Sequence, residues 1–384
     1  MTASFGRRLR PTSAPPLDDD DLLDEILLRL PPDPSSLPRA SAVCTRWRRL
    51  VSDPGFVSRF LLRHRLRPPI LGCFITDQRR ATVSFVPTME APNRLPAERF
   101  SLQLGDRDRF SLLSCRHGLL LMFLPLWSKV LVWDPVAGDQ HRLDIPPGFD
   151  TKKEIGGAVL RAAGAIRHFQ VVLVGRDKQN ILACVYSSEA GVWSKLISTP
   201  LPNPFCYEFM GVHPVLVGDS LHWFINCGFH KILEFDLHRQ ILTVIPGPLD
   251  EFPVGISQIL VMRAEDGGLG VLFKSGCNVQ LWKRKIDCDG EASWVLGRTF
   301  DLDTLFSLNS EEIKYMVILG LAEYNSTVFV RTVVGHFMVQ LESLKFNKTF
   351  ETNIWNFHQP FESVYTGETS IGGGHNGAEL LHNT

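Results

Sequence analysis

The hydrophobic period of the chain changes once, near Pro68, and this change constrains the fold more than any other feature. Before it, over residues 18–66, apolar residues recur at helical spacing. After it they recur in short alternating or continuous runs separated by Gly, Pro, Asp and Asn. A period of about 3.6 residues indicates amphipathic helices and a period of about 2 indicates strands. The sequence therefore predicts a mainly β fold with a small N-terminal α domain.

Three short helices are predicted before the change. For the first, the Asp run 18–21 supplies an N-cap and places negative charge at the positive end of the helix dipole, and Pro31 with the prolines after it ends the helix. The second begins after Ser35 or Ser36, and its apolar positions run from Leu37 to Val51.

The third helix starts at Asp53-Pro54, an N-cap followed by proline at the first helical position. Three helices of this length cannot bury all of their apolar side chains among themselves, because so small a unit builds little core. Part of this surface is therefore expected to contact a partner.

A unit of roughly fifty residues recurs in the β region, with four strands in each clear copy, which is typical of a kelch-type propeller blade. Its anchor residues lie about 47 to 59 residues apart and are Trp133, Tyr186, Phe235, Trp282 and Leu341. A weaker first unit lies near residues 71–86. The sequence predicts a β-propeller of about six blades, or seven if one end is built from split pieces.

The predicted organisation has four parts. They are a disordered lead-in at 1–17, the helical domain at 18–66, the propeller domain at 67–366 and a disordered tail at 367–384.

Composition excludes several classes of protein. The net charge of −1 gives no global field for nucleic acid or an anionic membrane, and no apolar run approaches the length of a membrane span. The eight cysteines are scattered without a C-x-x-C pair, which favours reduced thiols. We therefore expect no nucleic-acid or membrane partner, and a location in the cytoplasm, the nucleus or both.

Motifs of catalysis and of cofactor binding are missing from the sequence. It contains no P-loop, no G-x-S-x-G and no H-E-x-x-H, and the spacing of His213, His222, His230 and His238 matches no ligand signature. We expect no metal, no cofactor and no catalytic residue. A propeller enzyme would need His, Asp, Glu or Tyr residues converging at strand ends on one face, and no such set is evident.

Two aromatic-Asp pairs, Trp133-Asp134 and Phe235-Asp236, are interpreted as strand ends followed by turn-forming Asp rather than as paired catalytic acids. The cluster Arg46, Arg48 and Arg49 leaves a helix-turn-helix DNA contact open as an alternative. The proline-rich connection before it is a poor match for that motif, so these arginines are interpreted as a solvated face with local pairing.

The N-terminal region resembles the F-box motif. The matching segments are DLLDEILLRLP at 21–31, SLPRASAVCTRWRRLV at 36–51 and SDPGF at 52–56. The following region resembles the F-box-associated β-propellers of plant, particularly grass, proteins, in SCRHGLLL, VYSSEAGVWS, DSLHW and LGLAE. The Asp run stands where the family usually has Leu-Pro, and Pro38 replaces a better helix former.

The resemblance implies a non-catalytic substrate-receptor subunit of a Skp–cullin–F-box ubiquitin ligase. The helices would bind a Skp-type adaptor and through it a cullin, while the propeller would hold an unknown protein substrate. The adaptor-binding residues would be Leu22, Leu23, Ile26, Leu27, Leu30, Pro31, Leu37, Val43, Cys44, Trp47 and Leu50, although some of them must hold the helices together instead.

Two alternatives remain, which are an F-box scaffold acting outside a ligase and a propeller-fold enzyme. Candidate substrate-binding aromatics in loops are Trp127, Phe205, Tyr207 and Phe229, for each of which core packing is the competing interpretation.

Overall fold

The structure is a computed structural model of the chain. It describes residues 19–105, 109–161, 168–203, 213–226, 230–248, 257–307, 309, 316–350 and 358–366. The predicted lead-in at 1–17 and the predicted tail at 367–384 lie outside these residues. The chain divides into two units, one containing the helices up to His64 and the other spanning Arg65–Val364.

The first unit, called the helical unit below, has four helices in its described part where the sequence predicts three. They are α1 (Asp20–Leu28), α2 (Ser36–Ser41), α3 (Thr45–Val51) and α4 (Pro54–His64). The predicted second helix is wrong as a single element because Cys44 is extended, with φ −163° and ψ 170°, and separates α2 from α3. Val43 and Cys44 keep the apolar spacing across this break, so the spacing did not reveal it.

Aspartates cap two of the helices as the sequence predicts. The Asp19 carboxylate accepts from the backbone N–H groups of Asp21 and Leu22 at 2.9 and 3.2 Å, which satisfies donors that the first turn of α1 leaves free. The Asp53 carboxylate accepts from the N–H of Phe56 at 3.0 Å, and Pro54 is the first residue of α4. Each helix therefore begins where its capping residue places it.

The helical unit has an apolar core drawn from all four helices. Phe56 and Phe60 of α4 stack with their ring centroids 6.1 Å apart, and the His64 ring lies 4.5 Å from that of Phe60. The fully buried apolar side chains are Leu23, Leu27, Leu37, Val51, Phe56 and Phe60. None of the helices in the described part of the chain is long and apolar enough to cross a membrane.

The second unit is a β-propeller of six antiparallel blades, as the sequence predicts. Blade 1 contains β1 (Ile70–Asp77), β2 (Thr82–Pro87), β3 (Leu102–Gln103) and β25 (His358–Glu362). Blade 2 contains β4 (Ser111–Arg116), β5 (Leu119–Leu124), β6 (Lys129–Trp133) and β7 (Gln140–Asp144). Blade 3 contains β8 (Gly156–Arg161), β9 (Phe169–Arg176), β10 (Asn180–Ser187), β11 (Val192–Trp193) and β12 (Ile197–Pro200).

Blades 4 to 6 repeat the pattern. Blade 4 contains β13 (Val215–Val217), β14 (Ser220–Asn226), β15 (His230–Asp236) and β16 (Ile241–Pro246). Blade 5 contains β17 (Ser257–Arg263), β18 (Leu269–Ser275), β19 (Asn278–Ile286) and β20 (Ala292–Asp301), followed by the short helix α5 (Leu302–Phe306). Blade 6 contains β21 (Val317–Ala322), β22 (Thr327–Thr332), β23 (Gly335–Gln340) and β24 (Phe346–Phe350). Two 3₁₀ helices, Ala97–Phe100 and Pro125–Trp127, lie in the described connections.

Blade 1 is built from both ends of the propeller sequence. Strand β25 pairs antiparallel with β1, so Cys73 lies opposite Pro360 on one side and Val86 on the other. This pairing closes the ring by hydrogen bonds. One end of the ring is thus built from split pieces, which complete blade 1 and leave the total at six blades, not seven.

Packing between blades explains why the inner strands have continuous apolar sequences. All six residues of β5 are buried, because both faces of the inner strands lie against neighbouring blades, and such strands therefore read as continuous apolar runs. The outermost strand β7 is mostly exposed. Apolar clusters join each pair of adjacent blades from 2 to 6, blade 6 packs on blade 1, and Phe74 of blade 1 lies 5.6 Å from Trp133 of blade 2.

Candidate functional site

An exposed apolar face on the helical unit is the first candidate site. Leu22 and Ile26 lie one turn apart on α1, with 43% and 38% of their surface exposed, and Val43 in the α2–α3 connection is 61% exposed. Arg46 donates to the Asp20 carboxylate at 2.7 Å, which places the first turn of α3 beside the first turn of α1. Three exposed apolar side chains of the helical unit, Leu22, Ile26 and Val43, are called the docking face below.

The structure divides the eleven predicted adaptor-binding residues into three groups. Leu23, Leu27 and Leu37 are buried, with Leu27 at 0% exposure, so in this conformation they hold the unit together and do not offer a contact surface. Leu30, Trp47 and Leu50 are half-buried. The exposed members are Leu22, Ile26, Pro31, Val43 and Cys44.

Charged residues of the helical unit pair locally. Arg59 of α4 donates to both carboxylate oxygens of Asp24 at 2.7 and 2.8 Å, and this hydrogen-bonded pairing raises the pKa of Arg59. For the predicted cluster Arg46, Arg48 and Arg49, the Arg46–Asp20 pair agrees with the interpretation as a solvated face with local pairing.

A second candidate site lies at the propeller axis, where innermost strands end on one face. This group is called the axis cluster below. Its members come from the end or flank of an innermost strand in each of five blades, except Arg65, which lies five residues before β1. The cluster is Arg65, Arg116, His117, Arg161, Arg263, Glu323, Tyr324 and Glu362.

A buried ion pair between Arg116 and Glu323 forms the centre of the axis cluster. Two guanidinium nitrogens of Arg116 meet the two carboxylate oxygens at 2.9 and 2.5 Å, and their side chains are 3% and 11% exposed. The carboxylate also accepts from the N–H of Leu216, and Arg116 donates to the carbonyl of Pro214 at 2.7 Å. The pair therefore ties blades 2, 4 and 6 together. Burial raises the pKa of Glu323, while the neighbouring Arg116 opposes that rise.

His117 is held as a neutral ring between arginines. Its Nδ1 atom receives the backbone N–H of Arg161 at 3.1 Å and the guanidinium of Arg65 at 3.2 Å, so Nδ1 is the acceptor. The proton then lies on Nε2, which donates to the Tyr324 hydroxyl at 2.9 Å. Burial, reinforced by the positive charges of Arg65, Arg116 and Arg161, lowers the pKa of His117 well below its ordinary value.

Glu362 ends the closing strand β25, and within the described part of the chain its carboxylate accepts hydrogen bonds from N–H donors of residues 324 and 325. Its carboxylate receives the backbone N–H groups of Tyr324 and Asn325 and the side-chain amide of Asn325, at 2.7 to 3.2 Å. Burial raises the pKa of Glu362 to about 7 despite these hydrogen bonds. Its contacts tie blade 6 to blade 1.

The axis cluster corrects the sequence-based expectation that no His, Glu and Tyr residues converge at strand ends on one face. The signal was present, since Arg116 and His117 belong to SCRHG and Glu323 to LGLAE, but these segments lie about two hundred residues apart. Both oxygens of Glu323, both nitrogens of His117 and the oxygens of Glu362 are all engaged in hydrogen bonds. The group therefore has the properties of a structural or binding cluster.

Turn-forming Asp residues follow strands as predicted. The Asp134 carboxylate accepts from the N–H groups of Val136 and Ala137, each at 3.0 Å, and Asp236 accepts from those of His238 and Arg239. Asp134 has a further role that the sequence did not predict, because it forms an ion pair with Arg161 of the axis cluster at 2.5 Å.

Among the described residues, the group with atoms close enough to hold a metal is Cys277, Asp301 and Asp303, whose ligand atoms lie within 4.8 Å of one another. His213 and His222 have other surroundings. Burial lowers the pKa of His213 to about 4, and His222 lies 3.6 Å from the Glu234 carboxylate. Of the candidate substrate-binding aromatics, Trp127 is 61% exposed, and Phe205, Tyr207 and Phe229 lie outside the described residues.

Comparison with known proteins gives matches over both units. A family model described as F-box domain matches residues 19–59, and one described as F-box protein AT5G49610-like, beta-propeller matches residues 111–364. The chain is 22% identical over 245 residues to the F-box/kelch-repeat protein At3g23880 of Arabidopsis thaliana, which covers 60% of this chain and 65% of that protein.

Two further relatives from Arabidopsis thaliana are similar. The F-box protein At3g17710 is 25% identical over 313 residues, covering 75% of this chain and 79% of the relative. The F-box/LRR-repeat protein At2g43260 is 23% identical over 266 residues, covering 62% of this chain and 57% of the relative. The chain thus spans less than two thirds of the length of two of these three relatives.

Proposed function

The chain belongs to the F-box proteins with an AT5G49610-like β-propeller, and from this premise we propose that it is the substrate-receptor subunit of a Skp–cullin–F-box ubiquitin ligase. An F-box joined to a propeller is the domain combination of a substrate-receptor type protein, and F-box domains generally bind Skp-type adaptors. In this proposal the helical unit binds the adaptor, the adaptor binds the cullin, and the propeller binds the protein to be ubiquitylated.

The observation that supports this proposal most is the docking face. Leu22, Ile26 and Val43 are exposed within the residues that match the F-box. Fully burying an exposed Leu or Ile side chain contributes about 1.5–3 kcal/mol. Because only about two fifths of Leu22 and of Ile26 is exposed, a partner that covers them gains roughly 0.6–1.2 kcal/mol from each. The remaining predicted residues that are half-buried, Trp47 and Leu50 among them, extend the apolar area that such a partner reaches.

The proposal assigns no chemistry to this chain. A receptor needs one surface for the adaptor and another for the delivered protein, while ubiquitin transfer takes place on other subunits. Because Skp–cullin–F-box ligases act on intracellular proteins, the proposed location is the cytoplasm, the nucleus or both.

Co-purification with a Skp-type adaptor tests the docking face. We expect the double variant Leu22→Asp and Ile26→Asp to lose the adaptor, since two carboxylates would be buried without partners. Both side chains are exposed, so the thermal unfolding of the chain stays unchanged. Ile286→Asp is the matched control, because Ile286 is 69% exposed on the propeller and should not contact the adaptor. Full adaptor binding by the double variant would contradict the proposal.

Capture of a cullin separates a ligase receptor from a scaffold. When the tagged chain is isolated with its adaptor, we expect a cullin in the same complex and its loss from the Leu22→Asp, Ile26→Asp variant. Recovery of the adaptor without any cullin, under conditions where a known F-box receptor recovers both, would favour the scaffold.

A further inference from the structure

The axis cluster contains more guanidinium groups than carboxylates. Its four arginines are Arg65, Arg116, Arg161 and Arg263, and the carboxylates that face them are Asp134, Glu323 and Glu362. Asp134 pairs with Arg161 and Glu323 pairs with Arg116. Glu362 is bound by N–H groups of residues 324 and 325, and among the described residues it forms no ion pair with a guanidinium.

Arg263 is the first of two arginines in the axis cluster that form no ion pair with a described carboxylate. Its Cζ atom lies 5.8 Å from the centroid of the Tyr324 ring, a cation–π contact, and the side chain is half-buried at the end of β17. Within the described part of the chain its guanidinium makes no hydrogen bond or ion pair. Glu323 is close enough for Arg263 to lower its pKa, although both oxygens of that carboxylate are already taken by Arg116 and Leu216.

Arg65 is the second arginine of the axis cluster without a described carboxylate partner. It donates to the carbonyl of Arg161 at 2.8 Å and to Nδ1 of His117 at 3.2 Å, both uncharged acceptors. Among the residues that the structure describes, no carboxylate forms an ion pair with it. A half-buried cation held by neutral groups beside another arginine has unused capacity for an anion.

Acidic residues near these elements are directed to other partners. Glu265 and Asp266 follow β17 in the connection to β18, and they lie 3.4 and 3.6 Å from Arg298 and Lys283 of strands β20 and β19. They therefore do not neutralise Arg263 by a direct ion pair.

We infer that the axis cluster binds an acidic segment of the delivered protein, with one carboxylate on Arg263 and a second on Arg65. This inference rests on the proposed function, because it supplies the class of protein segment that the receptor recognises. Arg263 contacts Tyr324 and Arg65 contacts His117, and the two rings have centroids 6.1 Å apart. The two guanidiniums lie on different rings and are therefore two separate anion positions, which suits two carboxylates of one peptide better than a single phosphate.

Peptide binding to the full chain tests the inference. The probe is a fluorescent octaglutamate peptide, followed by anisotropy at low ionic strength, with octaglutamine as the neutral control. We expect saturable binding of octaglutamate that weakens as salt is added, and no binding of octaglutamine. Arg263→Glu should weaken it at least about tenfold, and Arg263→Gln by a smaller factor, since it removes the charge without reversing it.

The matched control is Arg142→Glu, which makes the same charge change on the exposed strand β7 of blade 2. It should bind octaglutamate like the unaltered chain. Equal binding by Arg263→Glu and the unaltered chain, or no saturable binding at millimolar octaglutamate, would overturn the inference. Binding of a phosphoserine peptide in place of octaglutamate would also overturn it, because the site would then recognise a phosphate.

Adaptor co-purification is measured on the same preparations. If the chain binds the adaptor but does not bind octaglutamate, this inference alone is overturned. A chain that binds octaglutamate but no adaptor overturns the proposed function and leaves the acidic-peptide site in place.

Discussion

Arg116 reaches from blade 2 to Glu323 of blade 6, and the contact is almost fully buried. Burying two charges costs free energy, and their attraction compensates only when hydrogen bonds satisfy the remaining atoms. Here the N–H of Leu216 and the carbonyl of Pro214 supply two such bonds, and among the described residues Nε of Arg116 has no acceptor. The pair is therefore expected to matter most when one partner is lost.

Glu323→Ala should lower the free energy of unfolding by about 3–5 kcal/mol, because it leaves the Arg116 charge buried without a partner. The double variant Arg116→Met and Glu323→Leu should lose much less, since it removes both charges. Urea unfolding followed by fluorescence measures both. If the double variant were as unstable as the sum of its single variants, the two side chains would not be coupled.

The carboxyl group of Glu362 predicts a pH effect. Its pKa is raised from 4.5 to about 7, so the folded protein holds the proton more tightly than the unfolded chain does. This contribution to the free energy of unfolding is fully present below the ordinary pKa and is lost as the pH rises through about 7. His117 and His213, whose pKa values are lowered, contribute with the opposite sign.

Comparison with Glu362→Gln isolates the contribution of Glu362, since the histidines are common to both proteins. We expect the stability of the unaltered chain, measured relative to this variant, to fall between about pH 5 and pH 7.5. Urea unfolding at a series of pH values gives the difference. A difference that does not change with pH would show that Glu362 titrates normally.

Strand β25 is the element on which closure of the ring depends. Phe361 in this strand is fully buried, with its ring centroid 5.1 Å from Phe74 and 6.0 Å from Phe85. The aromatic contacts thus join the last strand of the propeller to the first two. Edge-to-face arrangement of these rings adds to the free energy gained by burial.

Phe361→Ala should lower the free energy of unfolding by about 3–5 kcal/mol through the cavity that it leaves in blade 1. Trp127→Ala is the control, because Trp127 is a large aromatic side chain that is mostly exposed, and we expect it to change stability by less than about 0.5 kcal/mol. Thermal and urea unfolding check both. Equal stability of the two variants would contradict the role of β25 in closure.

For the whole molecule, the spacing of apolar residues along the chain predicted most of the fold. The change near Pro68 separates helices from strands, and each of the anchors Trp133, Tyr186, Phe235 and Trp282 lies in the third strand of its blade. The hydrophobic period could not assign β25 to blade 1. This strand has only five residues and lies at the far end of the propeller sequence from the other strands of its blade. The period also could not detect the break at Cys44, since backbone conformation changes there while the apolar spacing continues.

The sites were less predictable than the fold, for a physical reason. An apolar stripe contains both core and contact residues, so Leu22 and Leu23 are equivalent in sequence although one is exposed and the other buried. The axis cluster was missed because Arg116 and Glu323 meet only after six blades have closed. Local spacing holds no information about such a contact.

Hydrogen–deuterium exchange of the full chain, with and without a purified Skp-type adaptor, shows whether the adaptor binds through the helical unit. We expect the adaptor to slow exchange at residues 20–28 and 42–47 and to leave the blades of the propeller unchanged. Slower exchange confined to the propeller, or no change at the docking face with adaptor bound, would contradict this expectation.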